Sequence, residues 1–143
     1  MQKIIAALFL ILTFSFTGLR AQVFELVDLQ CHYRTNPIGV DSWQPQLSWK
    51  IKSKIRNQYQ TAYRILVSDD AQKLKNGEGS IWDSGKIKSD KSIQVPYEGK
   101  PLQPGRQYYW KVMVWDKSDK PSAWSTVNTW QMGLLDAKAW STA

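Results

Sequence analysis

Carboxylates are the side chains in this sequence that could carry out the hydrolysis of a glycoside. The chain has three Glu and nine Asp. A glycosidase needs two carboxyl groups about 5 to 9.5 Å apart, one of them with a raised pKa. Most of the Asp lie at turns, where the side chain bonds local backbone, and Asp69-Asp70 stands where a short helix could begin and be capped. No two carboxylates have a reason to converge, so we predict no catalytic residue.

The single histidine and single cysteine, His32 and Cys31, are the other candidates for reactive chemistry. Neighbours on a strand point to opposite faces, so these two side chains should not form a dyad. Two ligands are too few for a zinc site, and Asp116-Lys117-Ser118-Asp119 has too few ligands for a calcium loop and carries a lysine. We therefore expect no metal and no cofactor, and Cys31 should be a small buried apolar residue.

The first 21 residues have the organisation of a secretory signal peptide. Lys3 precedes an apolar run from Ile4 to Phe16, and the segment ends in the small residue Ala21. The run is shorter than the roughly 20 residues of a spanning helix, and Cys31 lies too far downstream to be lipidated. We predict cleavage before Gln22, a secreted or periplasmic location and no membrane attachment afterwards; an uncleaved tether is the alternative.

The rest of the sequence alternates apolar and polar residues in short segments separated by turns, a pattern typical of an all-β sandwich. The predicted strands are residues 24–33, 46–52, 61–68, 81–85, 92–95, 107–115 and 127–132, with one helical turn at 69–75. About seven antiparallel strands without a cysteine pair favour a fibronectin type III fold over an antibody domain, within the immunoglobulin-like class. We assign the sandwich to residues 22–133 and a linker toward a missing downstream domain to 134–143.

One local pattern supports the fibronectin-like topology. Leu102-Gln103-Pro104-Gly105 leads into Tyr108. This spacing is typical of a tyrosine corner, in which the phenol closes a turn by bonding backbone a few residues upstream. Leu102 and Tyr108 are therefore predicted to be structural residues.

Eight tryptophans are many for so short a chain. Trp49 and Trp110 lie at inward positions of their strands and are predicted to be in the core. On the strand 107–115, the outer residues Tyr109, Met113 and Trp115 alternate and should emerge side by side on one face. Such a face could dock onto another domain or stack sugar rings, and we favour docking.

Without the first 21 residues, which contain Lys3 and Arg20, the chain has 17 basic and 12 acidic residues, a mild net charge of +5, and the basic residues are dispersed. Lys50, Lys52 and Lys54 alternate with other residues and are best explained as the solvent face of one strand. Nucleic-acid binding requires clustered charge with interleaved exposed aromatics. We therefore expect no nucleic-acid partner.

Three ordered stretches resemble the N-terminal domain of bacterial α-L-rhamnosidases, glycoside hydrolase family 78. They comprise Cys31 to Asp41 with Pro45 to Trp49, Gln60 to Val67 with Trp82 to Lys86, and Tyr108 to Asp116 with Ser122 to Ser125 and Met132 to Leu135. The resemblance implies a fibronectin type III-like module that precedes further β domains and an (α/α) barrel holding the catalytic carboxylates. The barrel has no counterpart in this sequence, so no catalytic residue can be transferred.

The resemblance thus predicts a non-catalytic accessory module of a secreted rhamnosidase-type hydrolase, present as a fragment. Its expected partners are the downstream domains of the same hydrolase, with a polysaccharide as a further candidate. Two alternatives remain open. The module could act alone as a carbohydrate-binding module, or it could be a surface protein-interaction domain.

Overall fold

The computed structural model describes residues 24–135, so the predicted signal peptide and most of the predicted linker lie outside the described residues. Within residues 24–135, eight strands and one short helix follow one another. They are β1 (Glu25–Cys31), β2 (Gln46–Lys52), β3 (Ala62–Ser68), α1 (Ala71–Lys75), β4 (Trp82–Asp83), β5 (Ile87–Lys88), β6 (Val95–Pro96), β7 (Gln107–Trp115) and β8 (Asn128–Gln131).

The strands form two antiparallel sheets. The smaller sheet has the order β1-β2-β6; the larger has the order β4-β3-β7-β8, with β5 also paired to β3. The two sheets share one hydrophobic core, which confirms the predicted all-β, immunoglobulin-like class.

Alternation along the strands determines which side chains form the core. Leu47 and Trp49 of β2 and Trp110, Val112 and Val114 of β7 are at most 1 % exposed. Their strand neighbours point away from the core, because successive side chains of a strand face opposite sides. The predicted core positions of Trp49 and Trp110 are therefore confirmed.

Three details of the strand prediction were wrong. The strand β5 was missed, because two exposed residues carry no periodic signal. The strand predicted at residues 92–95 is only β6, so residues 92–94 lie outside it, and Pro96 is its last residue, paired with Gln46. A proline fits there because β6 is an edge strand, where a missing N–H costs no ladder bond. The first strand ends at Cys31 rather than Tyr33, because the chain turns at His32.

The expected helical turn is present as α1. Asp70 is its N-cap, and the carboxylate accepts a hydrogen bond from the Lys73 N–H at 2.8 Å. Leu74 is fully buried where α1 packs on β3 and β7. Between residues 24 and 135, no helix has the length and apolar character needed to cross a membrane.

Candidate functional site

Most of the aspartates that could have served as catalysts are held by structural partners. Four form ion pairs with a basic side chain: Asp28 with Lys50 at 2.9 Å, Asp69 with Arg106 at 2.8 Å, Asp83 with Arg64 at 2.6 Å and Asp119 with Lys86 at 2.5 Å. The hydrogen bond from Arg64 lowers the pKa of Asp83, so this carboxyl is a poorer proton donor near neutral pH. Among the described residues, no cluster of His, Cys, Asp and Glu could hold a metal ion.

Asp116 has a different structural role. Its carboxylate accepts hydrogen bonds from the backbone N–H groups of Ser118 and Lys120, at 2.8 and 3.0 Å. The residue is buried at the end of β7 and shapes the turn that follows. This is the local backbone bonding for which Asp is favoured at turns.

Cys31 is buried in the core, as its type and position predicted. Its side chain is 1 % exposed, and burial raises the pKa of the thiol to about 12. The thiolate is the reactive form of cysteine, so this residue is chemically inert in the folded domain.

The Tyr108 hydroxyl closes the turn that leads into β7. It accepts a hydrogen bond from the Gln103 backbone N–H at 2.9 Å, and the Tyr108 side chain is buried. Leu102, next to this turn, is also buried. This is the hydrogen bond that characterises a tyrosine corner.

The outer residues of β7 are less open than the alternation alone indicated. Tyr109, Met113 and Trp115 lie on one face, but each is only half-exposed. Residues 121–126 run beside the second half of β7, where the Ser122 and Ser125 N–H groups donate to strand carbonyls. The helix α1 also packs on β7. Whether this face docks onto another domain stays a prediction.

Cationic side chains cover the aromatic rings on the same side. The Lys86 Nζ lies 4.8 Å from the centre of the Trp115 ring, and the Lys111 Nζ lies 4.9 Å from that of Trp124. Lys111 is only 7 % exposed, and its desolvation lowers the pKa of its ammonium group. Each such contact stabilises by about 0.5 to 2 kcal/mol, depending on how far the cation is desolvated. These contacts were missed because they join residues far apart in sequence.

The outer face of the small sheet carries an open groove of about 380 Å³. Its floor includes Ser48 and Lys50 of β2, flanked by Asp28 and Gln30 of β1. Its two apolar walls are Tyr33 and Ile93, which are 63 % and 64 % exposed. Ser92 also lines it, so the groove combines an accessible aromatic ring with five polar side chains. The sequence reading did not identify it.

Tyr33 is held beside this groove by a strained turn. The backbones of Cys31 and Arg34 exchange two hydrogen bonds, of 2.9 and 3.1 Å, around His32 and Tyr33. Both central residues have positive φ, 47° and 63°, the pattern of a type I′ turn. Such turns usually contain Asn-Gly, and an ordinary L-residue pays about 1 to 2 kcal/mol in this region. No Asn-Gly signal marks the turn in the sequence, so periodicity alone extended the strand through it.

The adjacent strand is also irregular. Asp28 has a φ of 50°, and the β1–β2 register shifts between Val27 and Gln30. A β-bulge of this kind bends the strand and redirects its side chains. Here it brings Asp28 into a 2.9 Å ion pair with Lys50 on the groove side.

Two antiparallel sheets around one core, with a tyrosine corner at the entry to β7, define an immunoglobulin-like β-sandwich. The sequence profile of the family described as "Rha78A-like, N-terminal immunoglobulin domain" matches residues 26–136, and the chain belongs to that family.

Its relatives are far longer enzymes. The chain is similar to an α-L-rhamnosidase of Formosa agariphila, with 46 % identity over 110 residues, 77 % of this chain and 12 % of the relative. It is also similar to an α-L-rhamnosidase of Streptomyces avermitilis, with 41 % identity over 109 residues, 76 % of this chain and 10 % of the relative. The chain thus spans about a tenth of the length of these relatives.

Solved structures agree with this assignment. The α-L-rhamnosidase from Dictyoglumus thermophilum matches with a TM-score of 0.81 and 38 % identity, over 85 % of this chain and 14 % of that chain. The Streptomyces avermitilis α-L-rhamnosidase complexed with L-rhamnose matches with a TM-score of 0.78 and 38 % identity, over 82 % and 11 %. The family resemblance drawn from the sequence is confirmed.

Proposed function

We propose that this domain is the non-catalytic N-terminal accessory module of a secreted or periplasmic α-L-rhamnosidase-type glycoside hydrolase. The observation that carries the proposal is the coverage of the match. It extends over 77 % of this chain but only 12 % of the similar Formosa agariphila enzyme. In a hydrolase built like that relative, most of the polypeptide lies outside this module and can supply the catalytic carboxylates.

The side-chain chemistry of the domain supports a non-catalytic role. Four aspartates are paired with basic side chains, and two others cap the helix and a turn. Hydrolysis requires one carboxyl that remains protonated near neutral pH. Ion pairing instead favours the ionised form, as the lowered pKa values of Asp28 and Asp83 indicate.

We propose that the module contacts its hydrolase mainly through the loop Arg34–Asp41. This loop is joined to the last described segment, because Val40 donates to the Gln131 carbonyl at 2.9 Å and Gly133 donates to the Val40 carbonyl at 2.8 Å. Ile38 stands on the loop with 78 % of its surface exposed. A domain joined after residue 136, as in the family matched here, would lie beside this side chain. The face formed by Tyr109, Met113 and Trp115 is a second proposed contact.

A domain exchange tests the accessory role. The corresponding domain of the Dictyoglumus enzyme is deleted, or replaced by this one, and thermal stability and turnover of an aryl α-L-rhamnoside are measured. We expect deletion to lower the melting temperature and replacement to restore it, whereas the present chain alone should not hydrolyse the rhamnoside. Turnover by the isolated chain that disappears on mutating one Asp or Glu would overturn the proposal, as would a deletion that changes neither stability nor activity.

Matched variants of the replaced enzyme test the contact surface. Ile38→Ser should lower the melting temperature, because it removes apolar area that the neighbouring domain would bury, a loss of about 1 to 2 kcal/mol. Ile55→Ser is the control, since Ile55 is also exposed but lies outside the loop. Met113→Lys combined with Trp115→Lys tests the second contact. Equal effects of Ile38→Ser and Ile55→Ser would exclude the loop as the main contact.

A further inference from the structure

We propose that the groove on the outer face of the β1-β2-β6 sheet binds a neutral sugar ring, with Tyr33 as its stacking platform. The inference goes beyond the proposed function, in which the module need not touch a saccharide. Only the choice of L-rhamnose as the first probe rests on that function. The groove itself is argued from its own side chains.

The aromatic wall of the groove is the first feature that favours a sugar ligand. The Tyr33 side chain is 63 % exposed at the edge of the groove, and Ile93 is 64 % exposed at the opposite wall. An exposed tyrosine offers a flat apolar face and a polar rim, which suits a ligand with one apolar face and peripheral hydroxyls. A pyranose ring has this amphipathic character.

The floor provides complementary hydrogen-bonding groups. The Asp28 carboxylate can accept and the Lys50 ammonium can donate, and a 2.9 Å contact joins these two exposed side chains. The Ser48 hydroxyl oxygen already accepts from the Gln94 N–H at 2.9 Å, so its proton remains available to a ligand. In the described part of the chain, no protein group forms a hydrogen bond with the side-chain amide of Gln30.

Charge and size narrow the ligand class. Asp28 and Lys50 neutralise each other within the groove, so nothing there selects for a strongly anionic ligand. The volume of about 380 Å³ is near the lower end for small-molecule sites, which span about 300 to 1,000 Å³. One or two sugar units fit a site of this volume better than a helix or a protein surface does.

The strained backbone at the groove is consistent with a binding role. Asp28 and Tyr33 both line the groove and both have positive φ, 50° and 63°. Strained non-glycine residues cluster at ligand sites, where the surrounding structure holds them in place. Two such residues in one groove are consistent with a binding surface that is organised before a ligand binds.

Backbone amide NMR of the chain, titrated with neutral saccharides, tests the proposal. The probes are L-rhamnose, a rhamnose-containing disaccharide, a glucose disaccharide and, for contrast, a uronic acid. We expect saturable shifts confined to groove amides such as those of Gln30, Ser48 and Ile93. The same spectra show whether each variant remains folded.

Three variants separate stacking from folding. Tyr33→Ala should weaken binding at least about tenfold by removing the platform, whereas Tyr33→Phe should retain most of it. Tyr59→Ala is the matched control, because Tyr59 is 56 % exposed outside the groove, and it should change nothing. Lys50→Met should weaken binding while leaving the aromatic wall intact.

Several results would overturn the proposal. These are no groove shift with any neutral saccharide, binding of the uronic acid alone, saccharide shifts elsewhere on the domain, or groove shifts that follow protein concentration without sugar. Binding of the glucose disaccharide but not of rhamnose, lost in Tyr33→Ala, would support a sugar site while counting against a rhamnoside ligand. The domain exchange does not depend on the groove, so failure of either proposal can be recognised separately.

Discussion

The hydroxyl of Tyr108 offers the sharpest test of how the turn before β7 is stabilised. Tyr108→Phe removes one oxygen, which accepts a hydrogen bond from the Gln103 backbone N–H at 2.9 Å. The ring stays, and so does its packing on Trp130, whose ring centre lies 5.5 Å away. The substitution therefore isolates the hydrogen bond from the burial of the ring.

The structure indicates that the loss of free energy of unfolding lies in the lower part of the range usual for a broken buried hydrogen bond. Leaving a buried polar group without its partner costs about 1 to 3 kcal/mol. Tyr108 is buried, but Gln103 is exposed, so water can reach the N–H group that loses its acceptor. We expect the free energy of unfolding to fall by about 1 to 1.5 kcal/mol. For a domain of this size that corresponds to a melting temperature lower by roughly 4 to 8 °C.

Urea unfolding followed by tryptophan fluorescence measures this loss, because Trp130 is adjacent to the mutated ring. Tyr59→Phe is the control, since Tyr59 is exposed and should tolerate the change. A Tyr108→Phe midpoint that equals the wild-type value would refute the reasoning. An unchanged midpoint would mean that water replaces the phenol at no cost.

Three further predictions concern other parts of the chain. Gln60→Leu should lower the free energy of unfolding by about 2 to 3 kcal/mol, because the Trp49 indole N–H loses its 3.0 Å acceptor in the core; a urea midpoint near wild type would contradict this. Iodoacetamide at pH 8 should alkylate Cys31 only after unfolding, because its pKa is raised to about 12; rapid labelling of folded protein would exclude a buried thiol. The exported protein should begin at Gln22 by intact mass, and the mass of the full chain would exclude cleavage.

The raised pKa of Cys31 also has a definite sign in the pH dependence of stability. The folded state holds the thiol proton more tightly than the unfolded chain, whose cysteine has a pKa of 9.0. The stabilisation from the neutral thiol is therefore fully present below about pH 9 and is lost as the pH rises toward 12. Cys31→Ala should remove that part of the alkaline loss, which unfolding curves of both proteins above pH 9 can measure.

The larger part of the core could be predicted because its signal is local. The two-residue period of a strand places Leu47 with Trp49 and Val112 with Val114 on inner faces, whatever the rest of the chain does. The turn before Tyr108 is equally local, since donor and acceptor are five residues apart. Such features depend on short-range geometry and remain readable without tertiary information.

The features that were missed depend on contacts between distant residues. Gln60 joins the Trp49 indole to the carbonyl groups of Ser89 and Lys91. The sequence near residue 60 does not predict those partners. Likewise, the Lys111 ammonium lies over the Trp124 ring because of the path that the chain follows after β7. Periodicity identifies the outward side chains of a strand, but it cannot show which of them another segment will cover.

The outer faces of the two sheets therefore differ in how far other parts of the domain cover them. On the large sheet, α1 packs on β3 and β7, and cations lie over the rings of Trp115 and Trp124. Much of the apolar surface of that face is therefore already covered within the domain. The small sheet has no such cover over Tyr33 and Ile93, which remain among the most exposed large apolar side chains of the described residues.

The position of Tyr33 makes its exposure informative. At a φ of 63°, glycine would form the same turn without the steric cost that a tyrosine side chain carries. The ring gains little by burial in return, because 63 % of it faces solvent. Stability of the isolated domain therefore does not explain an aromatic residue there. Something that covers the ring would explain it, and the polar side chains that line the same groove favour a sugar over a second apolar surface.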